Sequence, residues 1–506
     1  MPADSKIHHS LRARVVIPVA LALLPLLVYG DTIFHRFGFR DDYSVTREAG
    51  DEPAKLMAVF GAQGRPVYGW LLELSAGHTP DIGEFCWLRL AGAAGLGLVA
   101  VGLYFVLRRK GWRDGLAALT AALLALLPSG QLIAGWGICW PHTVAAGLGL
   151  AAFAAAERGL RAGGLGRRAA WLGAALAALA VGALDYQCGV MFYLAGVAGG
   201  LGWRLLAARE KPVAWLAFHG GVLGAGMMLA FDATSRLFAT GVFVRSPRVA
   251  FDLSLGTKLG LFFRDALPNA LALFVLNDDE GRTAVPHAVA SLGVLTLLLA
   301  GAFWLLRRRG AGAALLWLAA AVGLPLAAYG VSLIAAEHWV TYRTLYPAAA
   351  VVLVMAVTVF DWLWSARGRL RLKLGALAAL TLAAAVVARL QAFYLIAVPQ
   401  ALELRLLTSG ARSIDPTRHP SVLVLTPNPT MAPTPLRWGD EFGSLSMTSD
   451  WTPKEALRHL MRERFPLRPD LQTGYTYDSG GEILPGMHPA VVINLRKIAD
   501  YRGKLE

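Results

Sequence analysis

Long apolar runs recur along the whole chain, and they constrain its fold more than any other feature. A helix needs about 20 mostly apolar residues to cross a bilayer. Of the 506 residues, 56% are hydrophobic and 16% are charged, whereas soluble domains average about 25% charged residues. With three cysteines, a disulfide scaffold is excluded, as are a disordered chain and a coiled coil. The sequence predicts an all-α polytopic membrane protein.

The apolar runs predict about eleven transmembrane helices. Their ranges are 14–33, 85–107, 115–136, 139–157, 169–186, 188–206, 213–235, 285–306, 312–335, 343–364 and 374–397.

Most of the basic residues cluster in links on one predicted side of the membrane. Short links between the predicted spans are basic, as at 108–110 and 307–309, and the positive-inside rule places such links in the cytoplasm. The N terminus is then cytoplasmic, whereas the C terminus and the links 34–84 and 236–284 are external. The net charge of +14 therefore signals topology. It does not indicate nucleic-acid binding, which needs one clustered basic face.

The C-terminal segment differs in composition from the rest of the chain. Residues 421–425 and 490–495 have the pattern of strands, and Thr452 followed by Pro453 and Glu455 predicts a capped helix that ends near Phe465. We therefore expect two domains: a transmembrane domain over 1–398 and a small external α/β domain over 399–506.

The strongest local signal is Asp41-Asp42, just past the outward end of the first predicted span. Adjacent carboxylates repel each other, and partial desolvation at a membrane surface raises their pKa, which makes a better base. A solvated acidic loop is the alternative for this pair taken alone. An amphipathic stretch over 45–60 and the sequence Gly64-Arg65-Pro66 follow.

With this spacing, the segment resembles the first external loop of GT-C glycosyltransferases, in particular the bacterial glucosyltransferases that modify O-antigen and related surface glycans. Those enzymes carry an acidic pair after the first span, then an amphipathic helix, then Gly-Arg. The matching positions here are Asp41, Asp42, Gly64 and Arg65. The second acidic pair of some members is lacking, which leaves the use of a divalent metal open, and no other cofactor is expected.

Later segments fit the same resemblance and supply further candidates. Asp185-Tyr186-Gln187 lies at an outward turn, and Tyr342-Arg343 opens a late span. The candidates for substrate binding are Arg65, Tyr68, Asp185, Tyr186, Gln187, Glu337, His338, Tyr342 and Arg343.

The resemblance implies an inverting hexosyltransferase of the bacterial inner membrane. It would move a sugar, a glucose-like hexose first, from a polyprenyl-phosphate donor to a surface glycan or lipid on the external face. Asp41 is the first candidate for the general base and Asp42 the second. Arg343, and then Arg65, would stabilise the leaving phosphate. For Arg343, snorkelling to headgroups is the open alternative. For Arg65 the alternative is a structural ion pair with Glu73 or Asp81.

Three rival functions remain open. A flippase or transporter would also have many spans, but its ionisable groups lie at mid-membrane between repeats, whereas here they gather at the outer face. An O-antigen ligase or polymerase and a purely structural subunit are the others. The acidic run 278–280 fits a solvated turn better than a cation site.

Overall fold

The structure is a computed structural model, and it describes residues 15–206, 211–252, 254–336, 339–364 and 370–502. Glu337 and His338 lie outside the described residues. Helices dominate the chain up to residue 411, and the residues that follow are called the tail. The helices are α1 (Ile17–Val28), α2 (Gly30–Phe34), α3 (Asp42–Asp51), α4 (Lys55–Ala62), α5 (Pro66–Ala76), α6 (Phe85–Arg109), α7 (Asp114–Ala125), α8 (Pro128–Gly135), α9 (Pro141–Arg161), α10 (Leu165–Val190), α11 (Tyr193–Leu206), α12 (Pro212–Ala239), α13 (Leu255–Leu261), α14 (Leu267–Leu271), α15 (Ala284–Arg309), α16 (Ala311–Ile334), α17 (Tyr342–Leu363), α18 (Leu370–Gln391) and α19 (Val398–Ala411).

The polytopic helical fold is confirmed, with fewer full-length spans than the sequence suggests. In the described part, eight helices are long and apolar enough to cross a membrane, or nine if the pair α7 and α8, bent by 56°, is one span. The predicted spans 14–33 and 188–206 contain shorter helices, α1 with 12 residues and α11 with 14. A composition window does not detect such helix ends, because they are set by local backbone geometry.

Helix breaks of this kind shape the end of the bundle that carries the candidate residues. α1 and α2 meet at Tyr29, and α7 ends just before Leu127-Pro128, because the residue before a proline disfavours helical angles. The predicted interfacial segment 255–276 is helical through α13, a π-helical turn (Phe262–Ala266) and α14. The helical part of this segment ends before Leu273, whose φ is 52°.

The tail contains a small parallel sheet and two helices. The strands β1 (Ser421–Leu425), β2 (Thr476–Gly480) and β3 (Val491–Asn494) are arranged in the order β2-β1-β3. The helices α20 (Trp451–Arg464) and α21 (Pro469–Gln472) connect β1 to β2, as a parallel pair requires. The predicted cap at Thr452 is wrong: the helix begins at Trp451, two residues before the predicted first helical residue Pro453, and the Thr452 hydroxyl bonds to Ser449 Oγ (2.7 Å).

The tail packs against the link 34–84. α20 lies on α3, where His459 Nε2 is 2.9 Å from the Tyr43 carbonyl oxygen and Arg462 pairs with Asp51 at 2.5 Å. The expected domain boundary at residue 398 lies inside a continuous helical stretch, Leu370–Ala411. The tail therefore forms one wall of the region that holds the candidate residues.

Candidate active site

Asp42 connects the link 34–84 to the helix bundle. Its side chain is fully buried. One carboxylate oxygen accepts a hydrogen bond from Ile138 N (3.0 Å), and the other accepts from Phe39 N (2.9 Å) and Gly137 N (3.4 Å). Burial raises the pKa of Asp42 to about 6, against the opposing effect of these backbone donors. Asp42 thus joins the link to the turn that precedes α9.

Arg89 secures the same link from inside the bundle. It is fully buried, and its guanidinium group donates to three carbonyl oxygens, those of Ile33 (3.0 Å), His35 (2.6 Å) and Phe37 (2.8 Å). A buried charge within a span requires polar partners, and here the partners are the free carbonyls at the end of α2. The path of the chain into Asp41 and Asp42 therefore depends on Arg89.

Replacing Arg89 with Met is expected to destabilise the protein by about 3–5 kcal/mol, because three buried carbonyls lose a charged donor. Thermal unfolding of the purified protein in detergent would measure the loss. The matched control is Arg389→Gln, which removes an exposed pair with Asp31 (2.5 Å) and should cost about 0–1 kcal/mol. Equal effects of the two substitutions would contradict the anchoring role.

Asp41 lies beside Asp42 in a different environment. It is partly exposed, and its carboxylate accepts no hydrogen bond from any residue that the structure describes. Burial raises the pKa of Asp41, opposed by the nearby cations Arg343 and Arg40 and reinforced by Asp440. Arg40, just before it, has a φ of 42°, a left-handed conformation that is uncommon for a residue with a side chain. Asp41 is therefore the unengaged member of the acidic pair.

Arg343 stands at the first turn of α17 and is held by the tail. Its Nε donates to Glu441 Oε1 (2.8 Å), and its guanidinium group lies 4.1 Å from the centre of the Trp136 ring. The Asp440 carboxylate lies between two cations, at 3.7 Å from Arg343 and 3.9 Å from Arg40. Arg343 does not extend away from the protein, as an arginine that reaches lipid headgroups would, because only 21% of its side chain is exposed.

Glu441 also caps α17. Its carboxylate accepts from the backbone N–H groups of Tyr342 (2.7 Å) and Arg343 (3.3 Å), which are unpaired donors of the first helical turn. Burial raises the pKa of Glu441 to about 7, and the Arg343 charge acts in the opposite direction.

Asp440, Glu441 and Arg40 were not predicted from the sequence. The only sequence signal is the adjacent acidic pair in the tail segment Trp438-Gly439-Asp440-Glu441. Nothing in the spacing connects that pair with Arg343, almost a hundred residues earlier.

A second group of candidates meets next to α9. Arg65 Nε donates to Gln187 Oε1 (3.0 Å), and Gln187 Nε2 donates to the Gly64 carbonyl (3.1 Å). The Arg65 guanidinium group lies 5.1 Å from the centre of the Tyr186 ring. Gln187 therefore takes the place of the Glu73 or Asp81 partner considered for Arg65. Glu73 instead accepts from two backbone N–H groups at the start of α4.

Asp185 and Tyr186 mark a distortion in α10. Tyr186 has non-helical angles (φ −144°, ψ 106°), and its ring stacks on His142 at 3.8 Å. Asp185 is fully buried, and neither of its carboxylate oxygens makes a hydrogen bond to a described residue. The Tyr68 ring lies 5.6 Å from the His142 ring and its hydroxyl bonds to the Ile138 carbonyl, and Ile138 N in turn bonds to Asp42. The two groups of candidates thus border the same region.

The two tyrosine candidates are engaged within the protein. Tyr68 OH donates to the Ile138 carbonyl (2.7 Å), and Tyr342 OH accepts from Asn277 N (2.9 Å). Both side chains are buried. Their roles in substrate binding stay predictions, and the bonds they make here position the turn before α9 and the start of α17.

The acidic run 278–280 binds the tail where a solvated turn was expected. Asp278 accepts from Arg437 N (2.9 Å), and Asp279 accepts from Gly439 N (3.0 Å). These bonds hold the segment that carries Asp440 and Glu441. Within the described ranges, no group of three or more His, Cys, Asp or Glu side chains could hold a metal ion.

Comparisons with known proteins give little sequence similarity. The chain matches no family model, and it matches no curated protein. Among solved structures, it is similar to the crystal structure of ArnT from Cupriavidus metallidurans in the apo state, with 14% sequence identity and a TM-score of 0.42. The alignment covers 81% of this chain and 82% of that chain.

Proposed function

We propose that this protein is a membrane glycosyltransferase of the GT-C type that moves a sugar from a polyprenyl-phosphate donor to a hydroxyl group. A glucose-like hexose is the first sugar to test, and a surface glycan or lipid on the external face of the inner membrane is the acceptor. One observation carries the proposal: the Asp41 carboxylate, free of hydrogen bonds to described residues, directly follows Arg40, which shares the Asp440 carboxylate with Arg343 at 3.9 and 3.7 Å.

The transfer step follows from this arrangement. The acceptor oxygen attacks the anomeric carbon, a new C–O bond forms, and the bond from that carbon to the phosphate oxygen breaks. Asp41 takes the hydroxyl proton, and the charge of the departing polyprenyl phosphate is stabilised by Arg343 and Arg40. A single displacement inverts the anomeric carbon. Asp42 is the weaker candidate for the base, because three backbone donors already occupy its carboxylate.

The second group of candidates would bind the acceptor. Asp185 offers a buried carboxylate without a described hydrogen-bond partner, and such an acceptor group suits a sugar hydroxyl. Arg65 and Gln187 lie next to Asp185, and the hydrogen bond from Arg65 Nε to Gln187 Oε1 (3.0 Å) fixes the orientation of both side chains. Both groups contact the turn before α9, through Asp42 and Tyr68 at Ile138, and this supports separate donor and acceptor ends of one site.

The transfer of a sugar can be tested directly with the purified protein. Purified protein in detergent would be given a panel of polyprenyl-phosphate sugars with lipid-linked or soluble glycan acceptors, and released polyprenyl phosphate would be detected. Release that requires an acceptor and disappears in the Asp41→Asn variant is expected. Acceptor-independent movement of the lipid-linked sugar across a vesicle bilayer, without release, would favour the flippase alternative instead.

As the pH is lowered, the rate of transfer should begin to fall at a higher pH than it would if the base were an aspartate with an ordinary pKa. Burial raises the pKa of Asp41, and a base works only when deprotonated, so activity is lost as the pH falls through this raised pKa. Initial rates between about pH 4 and pH 8 would locate the acidic limb. The Asp41→Asn variant is the control, and its residual rate should lack this acidic limb. A limb at the usual aspartate pKa would contradict the assignment.

A further inference from the structure

A cationic cavity lies at the far end of the helices that form the candidate active site. It has a volume of about 320 Å³ and is bordered by the C-terminal ends of α6 and α9 and by the start of α10. The candidate active site lies at the opposite ends of the same three helices. Because α6 has 25 residues, the two regions are about 37 Å apart.

The cavity collects like charges. Five cations border it and one acid does: Arg109, Lys110, Arg158, Arg161, Arg167 and Glu157. Arg109 and Arg158 are close enough to repel each other. Such a cluster is costly unless an anion balances it.

Glu157 can balance only one of these five positive charges. Its two oxygens already serve a network on the inner wall: one bonds to His219 (3.1 Å) and Trp215 Nε1 (2.6 Å), and the other forms ion pairs with Lys110 and Arg161. Lys110 is buried beside it, so the carboxylate is used to hold the floor of the cavity. The exposed arginines at the rim keep most of the excess positive charge.

The rim also has an apolar side that faces away from the protein. Trp171 is 37% exposed and lies 4.8 Å below the Arg158 guanidinium group, and Leu165 is 85% exposed. Tryptophan beside arginine at the end of a spanning helix is typical of the level of lipid headgroups. A ligand that enters here can place an anionic group among the arginines and acyl chains along α10.

We propose that this cavity binds the phosphate headgroup of an anionic phospholipid from the leaflet opposite the candidate active site. The arginines would contact the phosphate oxygens, for which guanidinium groups are well suited, and α10 would contact the acyl chains. The inference does not depend on the proposed transferase activity, and its test has a separate readout.

The test compares two triple variants of the full-length protein. In the first, Arg158→Gln, Arg161→Gln and Arg167→Gln remove the rim arginines, all of them exposed. The second is matched in charge: Arg307→Gln, Arg308→Gln and Arg309→Gln at the end of α15, exposed and outside this cavity. Binding of phosphatidylglycerol and of phosphatidylcholine in mixed micelles would be measured by native mass spectrometry, with thermal unfolding as the check of folding.

We expect the wild type to retain phosphatidylglycerol over phosphatidylcholine. The rim variant should bind phosphatidylglycerol about 10- to 100-fold more weakly, while the control variant stays within about twofold of wild type. Three outcomes would overturn the proposal: an equal loss in the control variant, equal retention of the two lipids, or complete displacement of phosphatidylglycerol by soluble glycerol phosphate at matched concentration. The last outcome would indicate a site for a soluble anion.

Discussion

Replacing Asp41 with Asn is expected to lower the turnover number by about 10²- to 10⁴-fold, the usual contribution of a general base. The substitution keeps the shape of the side chain and removes its ability to take a proton. Asp41 makes no side-chain hydrogen bond to a described residue, so folding should be little affected. Single-turnover release of polyprenyl phosphate from a bound donor would measure the chemical step, and donor binding should persist.

The neighbouring substitution, Asp42→Asn, separates catalysis from structure. An amide group placed among the backbone donors Phe39, Gly137 and Ile138 presents a donor where only acceptors fit. We expect a loss of stability of about 1–3 kcal/mol and a much smaller loss of turnover in the molecules that remain folded. If Asp42→Asn abolished turnover at unchanged stability while Asp41→Asn remained active, the two roles would be reversed.

Replacing Arg343 with Gln is expected to lower the turnover number by about 10²- to 10³-fold, because one fixed donor to the developing charge is lost. The interpretation of this variant alone is complicated by Glu441, whose fully buried carboxylate would lose its ion pair. An unpaired buried charge destabilises by about 3–5 kcal/mol. A drop in activity would therefore mix catalysis with unfolding.

The double variant Arg343→Gln with Glu441→Gln resolves this ambiguity. It removes both charges, and the single oxygen of the new amide side chain can still accept one of the two backbone hydrogen bonds, the shorter one from Tyr342 N–H. We expect thermal stability to recover most of the way while turnover stays low. Arg389→Gln, far from Glu441 in its own pair with Asp31, should leave both quantities unchanged. Recovery of turnover in the double variant would assign Arg343 a purely structural role.

The sequence could predict the candidate residues but not the different role of each one. Asp41 and Asp42 are adjacent and chemically identical, and only the fold makes one a buried acceptor of backbone hydrogen bonds and leaves the other unengaged. Arg65 and Gln187 were proposed from separate motifs, and the structure shows that they form one hydrogen-bonded pair. Such contacts join residues 96 and 122 positions apart, which no local pattern encodes.

The repeated apolar runs and the basic links between them determined by themselves that this is a helical membrane protein, because solvation in a bilayer depends on composition over about 20 residues. Only the tertiary structure decided that the tail reaches back to the bundle. Through Asp440 and Glu441 it holds Arg343 at the start of α17. Long-range pairing of this kind arises when the chain packs, since its partners, the start of a helix and a turn of the tail, are distant in sequence and are brought together by geometry and charge.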